Sequence, residues 1–385
     1  MPWKASSVVD ERIRFVIAVE RGTGGMSGLC REFGVARSTG YRWLRRYHEG
    51  GGRVEAIRER SRRPRRSPGR TTQGVVDRIV SLRLAHGWGA RKLRVLLAAE
   101  DITVSESTIN RVLKEHGLQY ESEVQGQATR RFAREVPNEL WQMDFKGPYR
   151  LTAGRCYPLS IVDDHSRYAV GLYALDNQLG ASVHGCLVRT FERYGVPENI
   201  LVDHGIPWWS SNGHGLTWLA VALIKQGIRL CFSGLRHPQT QGKVERFHRT
   251  LNHSMRLHGH PTHLAGWQHA FDWFVNEYNH LRPHEALAMA VPASHYQPAH
   301  RAYQPSPPAW EYPAGAIVKR LNAKGLLSWK QRYYFVSEAL ANEWVELNPC
   351  VSTLLIRYRH MWIREIDLTT TQSVTLIDKT QNPYM

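Results

Sequence analysis

Three carboxylates in this chain have the residue types and sequence positions expected of a metal site directed at phosphate. Glu245 follows a run of polar turn residues and begins a helical pattern rich in basic side chains. Asp144 and Asp203, 59 positions apart, each end a strand-like run, and Glu245 follows Asp203 by 42 positions. Phosphodiester hydrolysis or transfer needs charge neutralisation, which two divalent ions about 3.5–4 Å apart can provide when carboxylate oxygens hold them. The pattern therefore favours Asp144, Asp203 and Glu245 as catalytic, metal-binding residues.

Each carboxylate taken alone has a simpler interpretation. Asp144 and Asp203 could be turn residues at strand ends, and Glu245 could pair with Arg249 one helical turn later. Only the combination of the three positions and their flanking segments favours the metal site. The adjacent Asp163 and Asp164 are predicted to form a turn rather than to bind metal.

The helix that carries Glu245 has an apolar face and a basic face. Val244, Phe247, Leu251 and Met255 recur at i, i+3, i+7 and i+11, which indicates a buried stripe. Basic residues beside the carboxylate could hold DNA phosphates; these are Lys243, His248 and Arg249. Thr240 and Gln241 could position the end of a nucleic-acid strand. His237 could order the loop before the helix, and the alternative is that it carries a proton. Arg282 and His284 are predicted to be structural or to contact phosphate.

The segment 137–303 is predicted to position these residues. Strand patterns lie near 139–146, 156–162, 168–174, 199–202 and 228–232, and helical patterns lie near 180–194, 214–226, 240–258 and 264–280. A mixed sheet with helices on its faces is an α/β layer fold.

Residues 1–50 are predicted to form a helix-turn-helix domain. Its third helix, from Arg37 to His48, would present polar side chains to a DNA major groove; these are Arg37, Ser38, Thr39, Tyr41, Arg42 and Arg45. Ser27 is the expected N-cap of the second helix. Gly40 inside the third helix costs about 1 kcal/mol of helix propensity and indicates close approach to a neighbouring backbone. The alternative is a three-helix bundle with a solvated basic face.

A basic linker and a second helix-turn-helix are predicted to follow. In the linker, 51–71, arginines alternate with Ser and Pro and could enter a minor groove; the candidates are Arg62, Arg63, Arg65 and Arg66. The alternative is a flexible spacer. In the second helix-turn-helix, 72–118, Ser105 should cap the last helix, and the candidate DNA contacts are Arg91, Lys92, Asn110 and Arg111. Residues 119–136 form a further linker.

The C-terminal part is predicted to be all-β. A Pro-rich linker at 304–313 precedes several short, closely spaced strand patterns in 314–367, which indicate a small β-barrel. Residues 368–385 are polar and are predicted to be a poorly ordered tail.

The composition favours a nucleic-acid partner. The net charge is +17, and residues 1–70 carry 17 Lys and Arg against 7 Asp and Glu, or +10 of that total. Five dispersed cysteines without a Cys-x-x-Cys motif are typical of reduced thiols in the cytoplasm. No apolar run is long enough for a membrane span or a signal peptide. The expected location is therefore cytoplasmic, in association with the nucleoid.

The chain resembles the insertion-sequence transposases of the retroviral-integrase superfamily, whose cores use Asp, Asp and Glu. The resemblance rests on the three carboxylates, on the block from Gln241 to Leu251, and on the segments Asp163–Tyr168 and Tyr278–His284. The N-terminal helix-turn-helix also matches. The resemblance implies a ribonuclease-H-like core, two Mg²⁺ ions for which Mn²⁺ can substitute, and a homo-oligomer in the DNA complex. Asp144, on the central strand, would bridge both ions.

The resemblance implies a DNA transposase that binds terminal inverted repeats, cleaves the element ends and joins the 3′-hydroxyls to target DNA. Two features depart from the family pattern: His204 replaces the Asn that usually follows the second Asp, and the interval to Glu245 is long, with 208–216 as the expected insertion. Two rival interpretations remain open. One is a catalytically inactive, transposase-derived DNA-binding regulator, and the other is a nuclease that cleaves RNA–DNA hybrids.

Overall fold

The computed structural model describes residues 8–58, 70–119, 133–210, 215–233 and 242–377. The chain divides into two compact units, Met1–Arg70 and Thr71–Met385. None of the helices in the described ranges has the length and apolar character needed to cross a membrane. All five cysteines lie in these ranges and carry free thiols.

The first unit contains three helices around a small apolar core. They are α1 (Val8–Glu20), α2 (Met26–Glu32) and α3 (Arg37–Glu49). The buried core side chains are Phe15, Val16, Leu29, Cys30 and Ile57. The predicted N-cap of α2 was wrong, because Gly25 occupies the cap position and no side chain caps the helix.

Gly40 lies where α3 packs most closely on the other helices. A Cβ atom at this position would lie 2.7 Å from Sγ of Cys30 and 2.8 Å from Cζ of Phe15. The close neighbours are therefore side chains, and not the backbone that the sequence indicated. Glycine lowers the helix propensity at this position, but the absence of a side chain allows this tight packing.

We expect Gly40→Ala to destabilise the first unit by about 1–2 kcal/mol, because overpacking outweighs the gain in helix propensity. Hydrogen exchange of the amides of residues 8–58 measures this change. Gly28→Ala in α2 is the matched control, since no atom lies within 4 Å of its added Cβ. That variant should stabilise the same amides by roughly 0.5–1 kcal/mol. Equal stabilisation by both substitutions would contradict the packing explanation.

The second unit begins with three more helices, α4 (Gln73–His86), α5 (Ala90–Ala99) and α6 (Glu106–Glu115). Ser105 caps α6 as predicted, since its Oγ accepts a hydrogen bond from the Thr108 amide at 3.2 Å. Gly87 ends α4 with a φ of 67°, in the left-handed region that favours glycine. The carbonyl of Gly87 lies 3.3 Å from Nε2 of His253, so the turn after α4 contacts the following α/β core.

The α/β core is built on a mixed sheet. Its strands are β1 (Leu140–Phe145), β2 (Tyr149–Arg150), β3 (Arg155–Asp163), β4 (Ala169–Leu175), β5 (Asn199–Val202) and β8 (Arg229–Phe232). The main strands run in the order β4-β3-β1-β5-β8, with β2 also paired to β3. The pairs β4–β3 and β3–β1 are antiparallel, while β1–β5 and β5–β8 are parallel. Strand β1 is therefore central, as the resemblance implies for a ribonuclease-H-like core.

Helices cover both faces of this sheet. On one face lie α9 (Gly242–His258) and α10 (Leu264–His280), whose buried cluster includes Val244, Phe247 and Trp267. The other face is covered by α7 (Gly180–Tyr194) and α8 (Trp218–Lys225). Between β5 and α8, the expected insertion contains the short strands β6 (Trp209–Ser210) and β7 (Gly215–Leu216), which pair with each other.

The C-terminal strands do not close into the predicted small β-barrel. Strands β9 (Ile317–Arg320), β12 (Trp344–Pro349), β13 (Thr353–Tyr358), β14 (Met361–Asp367) and β15 (Ser373–Thr375) form a sheet in the order β15-β14-β13-β12-β9. Strands β10 (Leu326–Trp329) and β11 (Arg332–Phe335) form a separate hairpin. Among the described residues the two edge strands do not pair, so the sheet is open.

The open sheet buries its apolar face against the core instead of closing on itself. Val345, Leu347 and Ile356 belong to the same buried cluster as Leu219 and Leu223 of α8. The predicted tail is also partly wrong, since β15 pairs with β14. Ile377 after it is 2% exposed and belongs to the same buried cluster as the sheet and the core. Residues 378–385 of the predicted tail lie outside the described residues.

Candidate functional site

Two of the predicted catalytic residues lie on neighbouring parallel strands. Asp144 is near the end of β1, and Asp203 directly follows β5. The carboxyl ends of parallel strands meet at one edge of a sheet, where α/β proteins place their ligand sites. Strand β3 pairs with β1 in antiparallel orientation, and its residue Ser160 lies opposite Asp144.

The charge environment of Asp144 shows that all three carboxylates interact. Burial, together with the negative charges of Asp203 and Glu245, raises the pKa of Asp144 to about 7. Glu245 lies in the first turn of α9, far from the two aspartates in sequence. Three carboxylates from distant parts of the chain therefore share one electrostatic site.

The three carboxylates interact without forming a closed ligand set. Among the described residues, no group of three His, Cys, Asp or Glu side chains is close enough to hold a metal ion. Asp203 Oδ1 accepts a hydrogen bond from the Gly205 amide at 3.0 Å, so Asp203 also has the turn role considered as its alternative. Glu245 is exposed and forms no ion pair with Arg249 in the described structure. Mutual repulsion of three like charges favours such separation.

His248 is buried beside Asp144, although the sequence predicted a surface contact to DNA. Its Nδ1 lies 3.8 Å from Oδ2 of Asp144, and its Nε2 lies 2.9 Å from Oγ of Ser160. Burial, together with the charge of Lys146, lowers the pKa of His248 to about 4. The imidazole is therefore neutral at neutral pH and does not neutralise Asp144.

Lys243 is likewise directed into the protein, where it pairs with the fully buried Asp164. Its Nζ also donates to the Asp164 carbonyl at 3.0 Å. Burial lowers the pKa of Lys243 to about 8, although Asp164 acts in the opposite direction. Gln142 donates to Asp164 Oδ1 at 2.8 Å and accepts from the Val244 amide at 3.3 Å. These contacts fix the first turn of α9, which carries Glu245.

The sequence did not single out Gln142 as a positioning residue. Its signal was a polar side chain between the large apolar side chains of Trp141 and Met143 in a predicted strand. A buried polar group normally requires hydrogen-bond partners, so such a residue indicates a specific buried contact.

The turn after β3 is structural, as predicted. Asp163 Oδ2 accepts hydrogen bonds from the amide and hydroxyl of Ser166 at 2.8 and 2.6 Å. Its Oδ1 accepts from the Asn138 amide at 2.7 Å. The ring of His204, which replaces the usual Asn of the family, packs against Trp209 and Phe232 at centroid distances of 5.0 and 5.3 Å.

The candidate DNA contacts of the first unit lie together on α3. Arg37, Ser38, Tyr41, Arg42 and Arg45 are exposed, and Thr39 is half-buried. This face of α3 is therefore available to a ligand. The linker candidates Arg62, Arg63, Arg65 and Arg66 lie outside the described residues, as do His237, Thr240 and Gln241.

The candidates of the second helical unit differ in their surroundings. Asn110 and Arg111 are exposed on α6. Lys92 is 16% exposed and lies 3.4 Å from Glu285 of the core, while Arg91 lies 4.0 Å from the same carboxylate. Lys92 therefore contacts the core, and its contact with DNA remains a prediction from sequence.

His284, for which the sequence allowed a structural role, is a buried neutral histidine. It is 7% exposed, and its Nε2 lies 3.2 Å from the hydroxyl of Tyr278. Burial and the nearby charges of Arg282 and Arg167 lower its pKa to about 3. Below the ordinary histidine pKa of about 6.5, the unfolded chain takes up a proton that the folded state refuses.

We therefore expect the stability contributed by neutral His284 to be complete above about pH 6.5 and to fall as the pH drops towards 3. At pH 5 this loss is about 2 kcal/mol. Urea unfolding at pH 7.5 and 5.0 should show a smaller pH effect in His284→Asn than in the wild type. His269→Asn, at an exposed position, should leave the wild-type pH dependence unchanged. Identical pH effects in both variants would refute this assignment.

Comparison with protein families finds helix-turn-helix and homeodomain-like domains in the N-terminal part of the chain and integrase core domains after them. A family of helix-turn-helix domains matches residues 11–65, and a family of homeodomain-like domains matches residues 39–113. Two families of integrase core domains match residues 134–238 and 226–292. The integrase core matches include Asp144, Asp203 and Glu245.

Relatives with similar sequences include proteins of bacterial insertion elements. The chain is 27% identical over 233 residues to the insertion element IS476 uncharacterized 39.2 kDa protein of Xanthomonas euvesicatoria, covering 59% of this chain and 65% of that protein. It is 26% identical over 239 residues to the insertion element IS407 uncharacterized 31.7 kDa protein of Burkholderia multivorans, covering 58% of this chain and 80% of that protein. The match thus spans just under two thirds of the Xanthomonas relative.

Solved structures with distant likeness include retroviral proteins. The HTLV-2 integrase catalytic core domain in complex with magnesium is 15% identical, with a TM-score of 0.34, and the match covers 42% of this chain and 99% of that one. A simian T-cell lymphotropic virus intasome chain is 16% identical, with a TM-score of 0.37, and the match covers 74% and 97%.

The chain thus combines helix-turn-helix domains with an integrase core, and its sequence relatives include insertion-element proteins. These matches support a relationship to the insertion-sequence transposases of the retroviral-integrase superfamily.

Proposed function

We propose that this protein is a DNA transposase that cleaves the ends of its element by metal-assisted phosphodiester hydrolysis and joins the 3′-hydroxyls to target DNA. The observation that carries the proposal is the shared charge environment of Asp144, Asp203 and Glu245. A half-buried carboxyl whose pKa is raised by its burial and by two other carboxylates is consistent with a site prepared for a cation.

The donor set fits magnesium by its chemistry. Asp144, Asp203 and Glu245 offer hard carboxylate oxygens, which Mg²⁺ prefers and for which Mn²⁺ competes. When bound, two such ions would activate the attacking oxygen and stabilise the leaving oxygen. Neutral His248 keeps a competing positive charge away from Asp144, and the contacts of Lys243 and Gln142 hold the turn that bears Glu245.

DNA recognition is assigned to the helical parts of the chain. The exposed face of α3 is suited to a major groove, with Arg42 and Arg45 among its side chains. The linker arginines would follow the minor groove or the backbone. Because both element ends must be held during joining, we infer that a homo-oligomer assembles on the DNA.

The test is a cleavage and joining assay with the full chain, Mg²⁺ and a duplex that ends in the inverted repeat flanking the gene. A nick at the repeat end, followed by transfer of its 3′-hydroxyl into a target duplex, would support the proposal. Repeat binding without nicking would favour the regulator. Cleavage of an RNA–DNA hybrid in preference to the duplex would favour a nuclease of the ribonuclease-H type.

A further inference from the structure

A basic cavity of about 230 Å³ lies between the second helical unit and the core. Its walls come from His86 and Trp88 around the turn after α4, from α9, and from the segment that ends α10. The cavity is distinct from the three-carboxylate site, because none of the three carboxylates lines it.

One face of α9 supplies most of the cavity lining. Arg246, Arg249, Thr250, His253 and Ser254 lie at i, i+3, i+4, i+7 and i+8, which places them on the same side of the helix. Arg282 reaches the cavity from the chain that follows α10. The helix that carries Glu245 therefore presents a separate basic face to this cavity.

The cavity has an excess of positive charge. Glu277 is the one carboxylate in its lining, and Nδ1 of His86 lies 2.5 Å from Oε1 of Glu277. Within the described ranges, Arg246, Arg249 and Arg282 form no ion pair. The depressed pKa of the nearby His284, to which Arg282 and Arg246 both contribute, reflects the same positive field.

Two donors at the cavity have no partner. Ser254 is 6% exposed, and its Oγ has no hydrogen-bond partner in the described structure. The same holds for Nε of Arg282. Leaving a buried donor without an acceptor is unfavourable, so these atoms indicate a ligand with several acceptor oxygens. Arginine is well suited to bind the oxygens of a phosphate in this way.

We propose that this cavity binds a phosphate group, and that its occupant is a phosphodiester of the DNA backbone held by Arg246, Arg249, Arg282 and Ser254. The identity of the occupant as DNA rests on the proposed function, whereas the phosphate chemistry does not. The second helical unit and α9 both line the cavity. The bound phosphate would therefore lie between the second helical unit and the helix that carries Glu245.

The proposal is tested on the full chain with Arg282→Gln and Ser254→Ala, using inorganic phosphate as one probe and a duplex oligonucleotide as the other. Calorimetry should show phosphate binding weakened about 10-fold by Arg282→Gln and several-fold by Ser254→Ala. The slope of log affinity for duplex against log salt should fall by about one in Arg282→Gln. Arg256→Gln, exposed on the same helix outside the cavity, should leave phosphate binding unchanged.

Ser254→Ala removes a hydroxyl that has no partner, so this variant should fold at least as stably as the wild type. Weaker phosphate binding in a stable Ser254→Ala protein would therefore support the cavity as the site. Unchanged phosphate affinity in both variants would overturn the proposal. Loss of phosphate binding with an unchanged salt slope would overturn the assignment to DNA, leaving a free phosphate compound as occupant. Neither measurement requires cleavage, so failure of the transposase proposal would be recognised separately.

Discussion

Asp144→Asn is expected to abolish cleavage and joining while making the metal-free protein more stable. The substitution removes the carboxylate on the central strand of the site, and we expect a loss of activity of about 10³-fold or more. Binding to the terminal repeat should change less than about twofold, because phosphate and base contacts are made elsewhere. Gel-based cleavage and fluorescence anisotropy with the same duplex measure the two effects.

The gain in stability follows from the raised pKa of Asp144. Between about pH 4 and pH 7 the folded state retains a proton that the unfolded state releases, so folding becomes less favourable as the pH rises through this range. Above pH 7 the ionised carboxylate costs the folded state of the order of 2–4 kcal/mol, and Asn removes this cost. The gain should be full at pH 8 and should vanish below about pH 4.

Asp176→Asn is the matched control, since Asp176 is an exposed carboxylate just after β4. It should change neither the cleavage rate nor the dependence of stability on pH. A fully active Asp144→Asn protein would refute the assigned catalytic role. An inactive Asp144→Asn protein with unchanged stability at pH 8 would refute the raised pKa of Asp144, to which burial and the two neighbouring carboxylates contribute.

Patterns of local periodicity predicted the core well. The predicted strands and helices of 137–303 agree with the observed elements to within a few residues, apart from α8, which begins at Trp218 instead of near 214. Long alternating or helical apolar patterns are set by the residues themselves. The N-cap Ser105 was likewise predicted from local sequence. The N-cap of α2 is Gly25 and not the predicted Ser27, because α2 already begins at Met26.

Contacts between distant parts of the chain were not predictable. Lys243 and His248 have the spacing of surface residues on a basic helix, yet their partners Asp164 and Ser160 lie 79 and 88 positions away. The C-terminal strands were found individually, but barrel closure depends on what covers their apolar face. That cover is α8, whose packing on the sheet no local pattern reveals.

Asp164→Asn is expected to destabilise the core by about 3–5 kcal/mol, because it leaves the buried ammonium of Lys243 without its counter-charge. Asp164 is fully buried, and it accepts hydrogen bonds from the Arg134 amide and from Gln142 as well. An amide cannot accept from all three donors, so one of them loses its acceptor. Asp101→Asn, at an exposed position, should change stability by less than about 0.5 kcal/mol.

The double variant Asp164→Asn/Lys243→Met also removes the ammonium group that has lost its counter-charge, and it should regain part of the lost stability. A coupling free energy of about 1–3 kcal/mol between the two substitutions in urea unfolding would establish the buried pair. Independent effects that simply add would show that Lys243 does not depend on Asp164. This double-mutant cycle therefore measures the interaction free energy between Asp164 and Lys243, rather than how well either position tolerates substitution.

The same variants distinguish the two roles assigned to Lys243. If it anchors the first turn of α9, loss of the pair should displace Glu245 and lower cleavage about 10²-fold, since an error of about 1 Å can have that effect. The salt dependence of DNA binding would then be unchanged. If Lys243 instead contacts phosphate, as its sequence position suggested, Lys243→Met should reduce the salt slope by about one. The buried contact with Asp164 favours the first result, in which Lys243 acts by holding the helix that carries Glu245.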